Sequence, residues 1–556
     1  MIILVAYAVL TALYCSLGYL THLESRVKGV DACYYYMYLP SIVLDGDIDF
    51  SDEVSRYFGP TQAEKSRTST GRVGNHWPVG PAVFWAPFFL IAHAITLIGN
   101  VFGATLPSHG YLGLHTTFVY VANSMYGVLG ILLLCASLRR FFELNVASLA
   151  CLVVLLATPL AYYLWPFTPM SHTVSFFAVS LFIWVFLRYG IGLRTAICVG
   201  LMFLARWQDV LYCLPILFLA GRDLLQNIRC GDFRPLNWVA RHIGMAALFL
   251  LTVSPQLIAW KILYGHWIMP PSAAQKIDFT HLHLIKTLFG MENGLLSWHP
   301  LLILGVIGLP FMVRIEREWG WYCSIAIALQ LIFVSSLQAS AGWSFGNRFL
   351  VSALPFFAFG TAALFDRMWK HNVLLYASVA VVFFFVVWNQ LFVYQYQRGL
   401  IPRSLPLTWR QLIDEKFIIH KVNRSEQLYR AGTIHLSRND YFASLEHARK
   451  ADALAPGREK VILLRAVAAL LCRRFNESQD AFRQLVIIDE REGLYKLGLA
   501  YACAEAGEKD LARHLVEGLN DPGVGWMLKY YLMGKKSVEP LFFERVAKKL
   551  LSFSGS

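Results

Sequence analysis

Asp31 opens the run Gly29-Val-Asp-Ala-Cys-Tyr-Tyr-Tyr36, ten residues beyond an uncharged stretch from Met1 to Leu20. Three more carboxylates follow in Leu44-Asp-Gly-Asp-Ile-Asp-Phe50, and Asn75-His-Trp-Pro-Val-Gly-Pro81 closes the same segment. A carboxylate held at a membrane surface can take a proton from a hydroxyl, which is general-base chemistry. Tyr34 and Tyr35 beside it have the amphipathic character of interfacial residues. His76 has two readings, a phosphate ligand or proton shuttle, and a structural histidine at the interface. A cation comes late in the chain, at Ala341-Gly-Trp-Ser-Phe-Gly-Asn-Arg348. Arginine offers a planar fork of donors suited to phosphate oxygens and stays charged in any surroundings; its alternative role is a snorkelling anchor. A base for an acceptor and an arginine for a leaving phosphate suit transfer from a phosphate-activated lipid.

The elements that position these residues belong to a membrane protein. Of 556 residues, 56% are hydrophobic and 15% charged, against about 25% charged in soluble domains. A stretch of about 20 apolar residues spans a bilayer. Met1–Leu20 is the first candidate, read as a retained span because no basic start or cleavage site marks it as a signal peptide. Further apolar runs lead to an expected total of about 12 or 13 spans. Arg139-Arg140, Arg188 with Arg194, the Arg222–Arg241 loop, Arg314 with Arg317, and Arg367 with Lys370 occupy every second connection. Basic loops resist translocation, so these are expected on the cytoplasmic side. The loop 21–77, Arg206–Asp209 and Ser340–Arg348 are then expected outside. Parity demands a hidden second crossing or a re-entrant turn between Pro78 and His115. The net charge of +13 follows from the basic loops and tail; no basic stripe suggests nucleic acid. The ten cysteines show no paired or metal-type spacing.

After a linker over residues 396–423, the composition of 424–556 becomes that of a soluble helical domain. Tyr441, Phe475 and Lys509 stand 34 residues apart, each followed three residues later by a small residue: Ser444, Ser478, Ala512. That period resembles tetratricopeptide repeats, whose helix pairs bury their apolar faces by stacking on one another. The expected fold is thus all-α: a polytopic transmembrane bundle over 1–395, plus an α-solenoid on the external side.

The pattern also matches a family. Asp31 with Tyr34-Tyr35, then Leu44-Asp-Gly-Asp-Ile-Asp-Phe50, then Trp77-Pro-Val-Gly-Pro-Ala-Val-Phe-Trp-Ala-Pro87 resembles the polyprenyl-phosphate-sugar-dependent glycosyltransferases of the GT-C fold. Protein mannosyltransferases and the lipid A aminoarabinose transferase belong to that group. Gly294-Leu-Leu-Ser-Trp-His-Pro300 and Gly342-Trp-Ser-Phe-Gly-Asn-Arg-Phe-Leu350 look like further family segments, so the resemblance covers about residues 1 to 395. It implies an inverting transfer from a polyprenyl-phosphate sugar, in a cavity on the non-cytoplasmic side. Asp31 matches the family's catalytic base. Many members carry Asp-Glu there, whereas this chain has Asp31-Ala32, with Asp47 or Asp49 as the candidates to substitute.

Asp31 is therefore the candidate catalytic residue. Tyr34, Tyr35, Asp47, Asp49, His76, Arg206, His299 and Arg348 are the candidate substrate ligands. Arg206 and Asp209 have a plainer reading as a mutual pair, and His172, Lys276 and Glu292 lie near external connections. Some relatives bind a divalent metal, but no ligand set for one is apparent; His281-Leu-His283 has no carboxylate cluster beside it in sequence. The expected partners are a polyprenyl-phosphate-linked sugar, an acceptor that is a glycan, lipid or protein, and a protein bound by the repeats. The expected site is a bacterial inner membrane. The alternative is a non-enzymatic polyprenyl-glycan transporter or scaffold, although the internal symmetry of transporters is not visible.

Overall fold

The computed structural model describes residues 25, 27–164, 169–229, 235–269, 277–337, 344–402, 406–489, 492–517 and 539–554. Met1–Leu20, Lys276 and residues 341–343 of the Arg348 segment lie outside them. The described residues are helical, with only two isolated bridges, Arg67–Val73 and Ile277–Leu337. The chain divides into two compact units, Met1–Val393 and Tyr394–Ser556. The helices of the first that matter for function are α1 (Val30–Pro40), α2 (Gly80–Val101), α3 (Gly113–Leu138), α4 (Ser171–Tyr189), α5 (Leu193–Ala205), α6 (Leu214–Arg229), α7 (Pro235–Tyr264), α8 (Ile303–Ile315), α9 (Arg317–Ser335), α10 (Leu354–Met368) and α11 (Asn372–Gln397).

Among the described residues seven helices are long and apolar enough to cross a bilayer: α2, α3, α4, α7, α9, α11, and α10 with the turn before it. The protein is a polytopic helical membrane protein. Leu144–Leu156, α5 and Pro300–Ile315 are shorter apolar helices. Two of the runs read as spans are broken. The run at Val210 is a tight turn, Trp207–Cys213, ahead of α6. The run at Leu295 is interrupted at His299, which is extended before Pro300, as a residue before proline prefers. Broken helices leave carbonyls that lipid cannot satisfy. In the first break the Tyr322 hydroxyl of α9 donates to the Tyr212 carbonyl; in a further break after Leu156, Asn389 Nδ2 donates to the Leu156 and Thr158 carbonyls at 2.8 and 3.1 Å. Ser124 Oγ donates to the Leu164 carbonyl at 2.7 Å.

The helix directions locate the 102–112 connection. α2 lies antiparallel against α3, with Phe84 on Tyr126 and His93 on His115. α3 and α4 run parallel, with Asn123 on Thr173 near one end and Arg140 donating to the Leu187 carbonyl at the other. The 102–112 connection is thus at the end of the bundle away from Arg140, where the sequence expects α3 to begin. α8 and α10 cross at Gly308 and Gly360, where a Cβ on either would collide with the facing backbone. Small residues at such crossings let membrane helices pack backbone to backbone.

In the second unit the helices Tyr441–Leu454, Phe475–Ile488 and Lys509–Glu517 alternate with Ile419–Ser437, Glu459–Leu471 and Gly493–Glu505. The first three begin at the residues spaced by 34, and Ser444, Ser478 and Ala512 are buried. A buried ionic cluster anchors the start of this unit. Glu426 accepts from Lys460 at 2.6 Å and Arg458 at 3.2 Å, and Arg458 also donates to the Leu400 carbonyl at 2.9 Å.

Candidate active site

α1 begins where Gly29, at φ 96°, turns the chain out of the preceding loop. Asp31 lies in its first turn and Tyr35 one turn later, on the same face. Asp31 Oδ2 accepts from Arg348 Nη1 at 2.6 Å, a pair 317 residues apart in sequence. Asp31 and Arg348 side chains are 24% and 18% exposed, so the pair borders an opening. Arg348 starts the turn Arg348–Ala353 that leads into α10. Its loop turns at Gly346, φ 58°, against the ring of His299. His299 is buried and packs on Phe345 at 5.5 Å, so it shapes the Arg348 loop.

A second arginine stands beside this pair. Arg206, at the end of α5, is buried, and its Nη1 donates to the Arg348 carbonyl at 3.4 Å. Both guanidinium groups lie over the Phe349 ring, at 5.1 and 5.3 Å. Arg206 also contacts His172 Nδ1. Arginine only donates, so Nδ1 is the acceptor and the His172 ring carries its proton on Nε2. With its amide oxygen turned toward the guanidinium, Gln208 accepts from Arg206 at 2.7 and 3.1 Å. Every partner is neutral: among the described residues no carboxylate lies within ion-pairing distance of Arg206. Asp209, which the sequence offered as that partner, instead accepts from Ser175 Oγ at 2.5 Å. Arg348 Nε is buried without a hydrogen-bond partner among the described residues. A buried cation is costly unless an anion answers it. The cluster therefore offers guanidinium donors to an anion, while Asp209 acts on Arg206 through space without a contact between them.

The other candidates divide. Tyr35 is buried in the cluster and accepts from Ser171 Oγ at 3.0 Å. Tyr34 faces away and stacks on Trp77 at 4.1 Å. Asp47 and Asp49 brace their own loop. Asp47 accepts from Ser41 Oγ at 3.2 Å, and Asp49 from the Val73 amide at 2.9 Å and Ser51 Oγ at 2.8 Å. His76 Nδ1 lies 3.2 Å from the Tyr264 hydroxyl, and burial lowers its pKa below that of an ordinary imidazole. Glu292 meets Lys286 at 3.6 Å, and His281 pairs with Asp278 at 2.9 Å. No cluster of three or more His, Cys, Asp or Glu that would hold a metal occurs among the described residues.

Sequence reasoning missed Ser171, Ser175 and Gln208 as members of the cluster. Ser171 and Ser175 carried a signal, two hydroxyls four apart on one face of an apolar helix. An apolar groove of 470 Å³, walled by Phe203, Trp207, Phe249, Val253, Trp260 and Met269, lies between α5 and α7. Trp207 follows Arg206 directly, so an apolar chain in this groove would lie next to the cationic cluster.

No family model and no curated protein matches the chain. Among solved structures it is similar to ArnT from Cupriavidus metallidurans bound to undecaprenyl phosphate. That likeness has 13% identity, covers 87% of this chain and 79% of that one, and has a TM-score of 0.44. It is also similar to the archaeal oligosaccharyltransferase AglB from Archaeoglobus fulgidus, in complex with an inhibitory peptide and a dolichol-phosphate. There the identity is 14%, covering 77% of this chain and 57% of that one, with a TM-score of 0.39. Superpositions this loose leave the geometry of the cluster to stand on its own.

Proposed function

We propose that the protein is an inverting membrane glycosyltransferase that moves a sugar from a polyprenyl-phosphate donor to an acceptor hydroxyl. The reading rests on one observation: two buried guanidinium groups, Arg206 and Arg348, share a site with a single paired carboxylate, Asp31. The donor phosphate is held by Arg206 and the free Nε edge of Arg348, with the prenyl chain in the groove beside Trp207. As the phosphate draws Arg348 toward itself, Asp31 is released to act as base. The acceptor oxygen loses its proton to Asp31 and attacks the anomeric carbon. The bond from that carbon to the phosphate oxygen breaks, and the electron pair leaves on the polyprenyl phosphate, stabilised by both arginines. Tyr35 and His299 shape the pocket. Asp47, Asp49, Tyr34 and His76 hold the loop that covers it and supply contacts to the sugar or acceptor. The site is read as facing the non-cytoplasmic side of a bacterial inner membrane, with the second unit, a tetratricopeptide-like domain, gripping a protein partner on that side.

The test is release of polyprenyl phosphate from a labelled donor by the purified protein in proteoliposomes. Wild type is expected to turn over and Asp31→Asn to be inactive at equal abundance. Tight donor binding with no turnover by the wild type would instead favour a non-enzymatic carrier of the lipid.

A further inference from the structure

A second groove, of 630 Å³, runs between α6 and α9, and none of Asp31, Arg206 and Arg348 lines it. Leu214, Trp321, Ile325 and Leu329 wall it with apolar surface, while Arg222, Arg317 and Glu318 gather at one end. Arg222 Nη1 donates to Glu318 at 2.5 Å. Arg317 is exposed and has no ion-pair partner among the described residues, so two cations and one carboxylate line this end of the groove. Trp321, Ile325 and Leu214 are 55%, 43% and 46% exposed. Such surface is stable only against lipid or another apolar chain.

The dimensions select the occupant. From Arg317 to Leu329 α9 rises by about 18 Å at 1.5 Å per residue. The hydrocarbon half-thickness of a bilayer is about 15 Å. The apolar wall is therefore one leaflet deep, and the arginines stand at the level of the headgroups. Arg317 also belongs to the basic set that the sequence places on the cytoplasmic face. Its neighbourhood is the end of the bundle where Trp319 packs on Phe186, close to Arg188.

We propose that the groove between α6 and α9 binds one acyl chain of an anionic phospholipid, whose phosphate is held by Arg317 and Arg222. The occupant is a structural lipid of the leaflet opposite the acid–arginine cluster, chosen by its negative headgroup. Glu318 tunes the site, because it competes with the phosphate for Arg222.

The experiment uses the purified full-length protein in detergent. Native mass spectrometry would measure retention of phosphatidylglycerol against phosphatidylcholine of the same acyl chains. Wild type is expected to prefer phosphatidylglycerol roughly fivefold, the effect of one basic residue at a lipid headgroup. Arg317→Gln should abolish the preference, and Glu318→Gln should strengthen it. Ile325→Trp should fill the groove and remove the most tightly held lipid of either kind, with an unchanged circular dichroism spectrum showing that the fold is intact. Equal retention of the two lipids by wild type overturns the proposal. So does a preference that survives Arg317→Gln, or tight lipid that survives Ile325→Trp. Activity is not the readout, so failure here is distinct from failure of the sugar-transfer reading.

Discussion

Replacing Asp31 by Asn should abolish turnover and yet tighten the binding of the lipid phosphate. The substitution keeps the shape of the side chain and removes its charge. Arg348 then joins Arg206 as a cation without a carboxylate. In the wild type an incoming phosphate competes with Asp31 for the Arg348 guanidinium, 2.6 Å away. Unit charges about 4 Å apart interact by about 4 kcal/mol at an effective dielectric constant of about 20. Exposures of 24% and 18% let solvent screen that attraction, leaving on the order of 1–2 kcal/mol for the phosphate to overcome. A difference of about 1.4 kcal/mol is tenfold in affinity. Polyprenyl phosphate is thus expected to bind Asp31→Asn roughly 10-fold more tightly than wild type. Loss of the base should lower turnover by about 10²–10⁴-fold. Equilibrium titration of the detergent-solubilised proteins with polyprenyl phosphate measures the first effect, and release of lipid phosphate from donor measures the second. Weaker binding by the variant would refute the competition between Asp31 and phosphate. Undiminished turnover would remove Asp31 as the base.

Three further outcomes are expected. Arg206→Gln should weaken binding of polyprenyl phosphate by roughly 10–100-fold, since charge-assisted hydrogen bonds contribute about 1.5–3 kcal/mol; unchanged affinity in the same titration would exclude Arg206 as a phosphate ligand. Gly346→Ala should destabilise the Arg348 loop by at least about 1 kcal/mol, because an L side chain is strained at φ 58° and would meet His299; an unaltered thermal unfolding curve would contradict this. Glu53, buried on the helix Ser51–Phe58, has its pKa pushed to about 8, first by burial and then by the neighbouring Asp45, Asp52 and Asp47. The folded state therefore holds a proton that the unfolded chain releases near pH 4.5, and stability falls as pH rises from there to about 8. Glu53→Gln should remove that slope and raise stability at pH 8 by at most on the order of 3–5 kcal/mol, seen as a higher unfolding temperature; identical pH profiles for variant and wild type would show that Glu53 is not buried.

The apolar runs and their basic boundaries determined the class of the protein, because crossing a bilayer demands long stretches whose backbone bonds internally. The spacing of 34 likewise located three helix starts, at Tyr441, Phe475 and Lys509. Local pattern was less informative where helices break. His299 and Trp207 lie within runs of ordinary apolar character, and only the folded chain brings a donor such as the Tyr322 hydroxyl to the carbonyl of Tyr212. The acidic loop shows the same limit. Asp31, Asp47 and Asp49 look alike in sequence, yet Asp47 and Asp49 bond to their own loop, while Asp31 reaches across 317 positions to Arg348. The plain pairing of Arg206 with Asp209 was the natural reading of neighbours three apart; the tight turn after α5 instead sends Asp209 to Ser175 and leaves the arginine with neutral hydrogen-bond partners. Residue type decides what chemistry is available. Which charges meet, and which is left for a ligand, depends on contacts between distant helices, and these are set by packing geometry that no local spacing encodes.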